Sequence, residues 1–186
     1  MIQHLIVADI FGRTPALDEL ANAMPVSTDT VDPYNGRFMG FDSEQQAYNY
    51  FCTEVGLENY CSHLKRQLDA IEHPVVLTGF SVGASAIWKL SESTKSERIK
   101  AAFCFYGSQV RHELNIQPEC PITLILPEFE PHFSIQQLHD DLKGRRNIRL
   151  TESHYLHGFM NQYSGNFSEE GYQQFLMWLI NRLKNI

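Results

Sequence analysis

Apolar residues fall along the chain in two alternating rhythms. Short apolar runs predict strands at Leu5–Ala8, Val26–Thr28 (extending toward Thr30), Pro74–Thr78, Ala101–Phe105, Ile122–Leu126 and Ile148–Leu150. Several are apolar on both faces and rich in Val and Ile, as buried parallel strands are. Between them, longer segments with helical spacing predict helices over Pro15–Met24, Ser43–Ile71, Val82–Ser91, Ser134–Lys143 and Ser168–Lys184. The last is the clearest: Tyr172, Phe175, Leu176, Leu179, Ile180 and Leu183 form one apolar stripe. Asn166, three residues before Glu169, resembles a capping box at its start. Gly56 breaks the long central segment into two helices.

Strand and helix in alternation predict an α/β fold, with a mostly parallel sheet of about six strands covered on both faces. No repeat, low-complexity tract or Pro/Gly/Ser linker divides the 186 residues, so one domain over 1–186 is expected. With 43% apolar and 20% charged residues, the chain has the profile of a globular protein. A net charge of −7 argues against nucleic acid as a partner, since phosphate binding needs concentrated Lys and Arg. Cys52, Cys61, Cys104 and Cys120 follow no C-x-x-C spacing and suggest a reducing compartment without structural disulfides. The N-terminal residues lack a basic, then long apolar, signal pattern. No apolar run reaches the ~18 residues of a membrane span, so a cytoplasmic protein with no membrane contact is expected.

The segment Val75-Val76-Leu77-Thr78-Gly79-Phe80-Ser81-Val82-Gly83-Ala84-Ser85-Ala86 carries the most chemistry. A strand runs into Gly-x-Ser-x-Gly and then into small residues that open a helix, the context a nucleophile elbow requires. Gly79 and Gly83 leave room where neighbouring chain crowds the turn, and the Val82 N–H can point at a developing oxyanion. A serine hydroxyl needs a base, and the base needs an orienting acid. In this fold the order is Ser, acid, His, so the base is expected beyond the strand Ile148–Leu150. His154 and His157 both qualify; His157 is favoured because Gly158 permits a tight turn beside the imidazole. A His154/His157 zinc pair would need further ligands, and none stand out. The acid is expected after Ile122–Leu126, where Glu128 and Glu130 fit equally well by position.

Three segments in order resemble the dienelactone hydrolase family of α/β-hydrolases: Ile6-Val7-Ala8-Asp9-Ile10-Phe11-Gly12, the Ser81 turn with Ala101–Gly107 downstream, and His157-Gly158-Phe159. The resemblance covers nearly the whole chain. It implies an α/β-hydrolase fold without a cap domain, and a serine-nucleophile variant, because dienelactone hydrolases proper use cysteine where this chain has Ser81. In that family the acid follows the strand-opening proline by nine residues, which favours Glu130, nine after Pro121. The resemblance further implies Ile10 N–H as a second oxyanion donor beside Val82, and substrate contacts from Asp9, Phe11, Tyr34 and Tyr106. Arg37 or Arg13 would hold a substrate carboxylate, and the stretch Tyr34–Ser43 would overhang a small, shallow pocket. The family's arginine four residues after the catalytic histidine is Asn161 here, which weakens the case for dienelactone itself.

The expected activity is hydrolysis of a small ester, thioester or lactone through an acyl-serine, with no metal or organic cofactor. Acyl transfer to an alcohol fits the same residues. The alternative is a binding protein on the same scaffold with weak or lost catalysis, since fold alone does not establish function.

Overall fold

A computed structural model describes residues 2–92 and 98–186. Six strands form one sheet in the order β2-β1-β3-β4-β5-β6: β1 (Gln3–Val7), β2 (Thr28–Val31), β3 (Val75–Phe80), β4 (Ile99–Phe105), β5 (Ile122–Leu126) and β6 (Ile148–Glu152). Every neighbouring pair is parallel. All strands therefore end at one edge of the sheet, and the loops that follow them gather there. The period-two pleat sorts side chains between two cores. Leu5, Val7, Leu77, Ala102, Cys104 and Leu124 pack on one face against α3 (Gly56–Asp69), α4 (Val82–Leu90) and α5 (Ile135–Leu142). Ile6, Val76, Phe103, Phe105 and Ile125 pack on the other, against α1 (Pro15–Asn22) and α6 (Glu169–Lys184). The expected two-faced parallel α/β sheet is thus the observed one.

Local departures have local causes. The β2 strand begins later than its apolar signal, because Thr28 turns its hydroxyl back to the Val26 carbonyl at 3.0 Å. The central helical segment divides as Gly56 implied, but through a π-helical turn, Phe51–Val55, between α2 (Glu44–Tyr50) and α3. The capping box assigned to Asn166 is corrected. Ser168 caps α6, its hydroxyl accepting the Gly171 N–H at 3.1 Å, while Asn166 donates to the His157 carbonyl at 2.9 Å. All four cysteines are unpaired. Among the described residues no helix is long and apolar enough to cross a membrane.

Candidate active site

At the end of β3 the chain reverses direction within a single residue. Ser81 has φ 51° and ψ −112°, a left-handed conformation that costs an L-residue of order 1–3 kcal/mol. Surrounding bonds hold it there. The Ser81 N–H donates to the Phe105 carbonyl at 3.0 Å, and the Ser81 carbonyl accepts both the Ser85 N–H and the Ser85 hydroxyl at 3.0 Å. Gly83 is required by proximity, since a Cβ there would fall on the Val7 carbonyl oxygen and 2.5 Å from that of Ala8. The Ser81 side chain is thereby lifted above the sheet edge at the first turn of α4, where the Val82 N–H has no intrahelical partner.

His157 reaches this point from the loop after β6. Its Nε2 lies 3.0 Å from the Ser81 Oγ, and its Nδ1 lies 2.6 Å from a carboxylate oxygen of Glu130. With Glu130 ionised, Nδ1–H must donate, which leaves Nε2 to accept the serine hydroxyl proton. Glu130 is 7% exposed, whereas Glu128 is exposed and uses its N–H to bond the Tyr155 carbonyl at 2.8 Å. The two acids that chain position left equal are separated by this geometry. His154 is exposed, with φ 58°, and it is His157 that bonds Ser81; among the described residues no group of three or more His, Cys, Asp and Glu could hold a metal ion. The imidazole is packed by the Tyr106 ring, with centroids 4.9 Å apart. Its loop turns at Gly158, φ 88°, where a side chain would collide with Ser164. Phe159 anchors the turn by stacking on Tyr155 and packing against Phe175.

These three side chains open onto a cleft of about 460 Å³ lined by Ile10, Val82, Glu44, Gln45, Tyr48, Ser108, Gln109, Arg111, His132 and Phe133. Ile10 and Val82 line the cleft together with Ser81. None of the residues whose substrate contact the resemblance implies, Asp9, Phe11, Tyr34, Arg37 and Tyr106, lines this cleft. Tyr34 is buried, with its hydroxyl on the Ile10 carbonyl at 2.6 Å, so it supports that peptide from behind. Asp32 accepts the Tyr34 and Gly36 N–H groups, each at 2.7 Å, and this tight turn swings Arg37 and Met39 toward a different cavity bordered by Glu54 and Arg66. Helix α2, not the stretch 34–43, borders the cleft. Arg13 pairs with Asp18 at 2.9 Å and lies over Phe38. Phe11 is a core residue, and Tyr106 backs the imidazole with its hydroxyl buried. Asp9 is buried, bonded to the Phe11 N–H and to Asn161, with no hydrogen bond to Ser81.

One residue that sequence reasoning passed over is Arg111, which enters the cleft five positions after Tyr106. Its guanidinium donates to the Ser108 carbonyl at 2.5 Å and lies 4.7 Å over the Phe133 ring. A signal was present: it follows the C-terminal end of a parallel strand, where ligand-contacting loops of such sheets lie.

A family model described as the dienelactone hydrolase family matches residues 6–182. The chain belongs to the dienelactone hydrolase family. As a member of it, the protein is an α/β-hydrolase. It is 34% identical over 130 residues to an uncharacterized protein, YczH, of Bacillus subtilis strain 168; the match takes in 67% of this chain and spans 62% of that relative's length. Among solved structures, a dienelactone hydrolase from Anabaena variabilis shares the fold with a TM-score of 0.65 at 16% identity, over 97% of this chain and 85% of that one. An alpha-beta serine hydrolase homologue from Coxiella burnetii does so with a TM-score of 0.63 at 14% identity, over 98% and 85% of the two chains.

Proposed function

We propose that this family member hydrolyses a small ester, thioester or lactone through an acyl-serine intermediate formed on Ser81. The observation that carries the reading is the unbroken relay of 3.0 Å from Ser81 Oγ to His157 and 2.6 Å from His157 to buried Glu130. In the first step the Ser81 Oγ attacks the substrate carbonyl while His157 Nε2 takes its proton. The same nitrogen then protonates the departing alcohol or thiol, leaving the acyl-serine. Water enters and attacks the acyl carbon while His157 takes its proton, and His157 returns that proton to the Ser81 Oγ as the acid departs. Glu130 fixes the imidazole tautomer and stabilises the imidazolium that forms in each half. The N–H groups of Val82 and Ile10 stabilise the tetrahedral oxyanion, a contribution of about 3 kcal/mol per donor. The cleft's size and openness suit a compact substrate. The unpaired cysteines support a reducing, cytoplasmic setting.

The test is turnover of short p-nitrophenyl esters by purified wild-type and Ser81→Ala protein. A fall in kcat of at least about 10⁴-fold is expected. Turnover that survives the substitution would contradict the acyl-serine route, and absence of turnover in both proteins would favour a binding role.

A further inference from the structure

The two loops that the proposed reaction must hold together are joined by one carboxylate. Asp9 follows the end of β1 beside Ile10, and the residue is 8% exposed. One oxygen accepts the Phe11 N–H at 2.9 Å, fixing the loop that presents the Ile10 peptide. The other accepts the Asn161 side-chain amide at 2.6 Å, from the loop that carries His157. Asn161 is itself held, its oxygen accepting the Tyr163 N–H at 2.9 Å and its own N–H donating to the Gly158 carbonyl at 2.9 Å. Asp9 thus spans from the peptide proposed as oxyanion donor to the turn that aims the imidazole. Neither end of the link touches the Ser81 hydroxyl, so it acts by placing other groups.

Resting on the serine-hydrolase reading above, we infer that Asp9 is a positioning residue whose ionised carboxylate, through Phe11 and Asn161, locks the Ile10 loop to the His157 loop in the reactive arrangement. The link depends on charge state, because an ionised carboxylate only accepts hydrogen bonds. Both partners are donors, so a proton on either oxygen sets donor against donor and opens one side of the clamp. Burial pushes the Asp9 carboxyl up to about 6, against the lowering effects of Asn161, the Phe11 N–H and His157. Glu44 also faces it and pushes it up, and the hydroxyls of Tyr34, Tyr60 and Tyr106 lie within its field. The clamp is therefore closed above about pH 6 and opens as pH falls through that value.

The experiment compares pH profiles of kcat and kcat/KM for p-nitrophenyl acetate in wild-type, Asp9→Asn and Asn161→Ala proteins. In the wild type the acid limb should include a protonation near pH 6, where Asp9 takes up its proton. Asp9→Asn should lower kcat about 10- to 100-fold at pH 8 with little change in KM, and its acid limb should lose the protonation near pH 6. Asn161→Ala removes a bond that holds the Asp9 carboxyl down, so it should move the acid limb to higher pH. That second variant keeps the test decisive if Asp9→Asn does not fold. Acid limbs of identical shape and position in the folded proteins would overturn the positioning role while leaving Ser81-dependent turnover intact. Loss of the serine reading would show differently, as turnover at every pH that ignores Ser81→Ala.

Discussion

His4 and Asp9 bracket the same strand, both buried and both titratable, and burial moves them in opposite directions. His4, within β1, is held by the hydroxyls of Thr28 at 3.1 Å and Thr78 at 2.8 Å, and desolvation pushes it down to about 4. It is neutral at ordinary pH and ties three strands together. Asp9, just beyond β1, is pushed up to about 6 and faces His157. The contrast extends across the sheet. Non-glycine residues with positive φ follow the C-terminal ends of β2 (Asn35, 56°), β3 (Ser81, 51°), β4 (Tyr106, 41°) and β6 (His154, 58°). At the opposite edge, Asn147 (63°) is the one among the described residues, in the turn before β6. Strain and poised charge gather where the strands end, while the interior keeps its polar groups paired and unreactive. Substitutions at the strand ends should therefore change rates with little cost in stability, and interior ones the reverse.

The largest effect expected from this division is at Glu130. Glu130→Gln preserves volume but removes the charge that selects the imidazole tautomer, so kcat should fall about 10³- to 10⁴-fold. The melting temperature should stay within about 3 °C of wild type, readable by calorimetry. A variant that melts early but turns over normally would break the division at its most important point.

Next comes His4, where the sign can be worked out. Its folded value lies below the ordinary 6.5, so the unfolded chain takes up a proton first. The stability His4 allows is fully present above about pH 6.5 and is lost as pH falls toward 4, by about 3 kcal/mol. Asp9 acts oppositely: its raised value costs stability as pH rises from about 4 to about 6. The two nearly cancel in the wild type. In His4→Gln, urea unfolding should show stability increasing as pH falls through that window; a wild-type-like profile would remove His4 from the account. The smallest effect is at Ser81 itself. Ser81→Gly relieves a left-handed backbone and should gain about 1 kcal/mol of stability, even as activity is lost.

What could be read from the chain before its structure follows the same division. Buried strands announce themselves by apolar runs, and Ile122–Leu126 was legible to the residue. The polar edge strand Thr28–Val31 was placed too early, because its burial is partial and its signal weak. The turns that bring Ser81 and His157 within 3.0 Å of each other are marked in the chain by their glycines, Gly83 and Gly158. That Glu130 rather than Glu128 lies beside His157 follows from no local pattern, only from the family spacing or the structure. Tyr34 is buried and Arg37 borders a separate cavity because the Asp32 turn, invisible to periodicity, decides which way that loop faces. Arg111 and α2 reach the cleft by packing between distant loops, which no local pattern encodes.

The central claim is that Ser81 Oγ is a nucleophile activated by His157, and covalent labelling tests it most directly. Intact-mass measurement and peptide mapping after a fluorophosphonate should find one adduct, on Ser81, absent in Ser81→Ala and formed far more slowly in His157→Ala. Labelling elsewhere, or at Ser81 with a rate unmoved by His157→Ala, would contradict it.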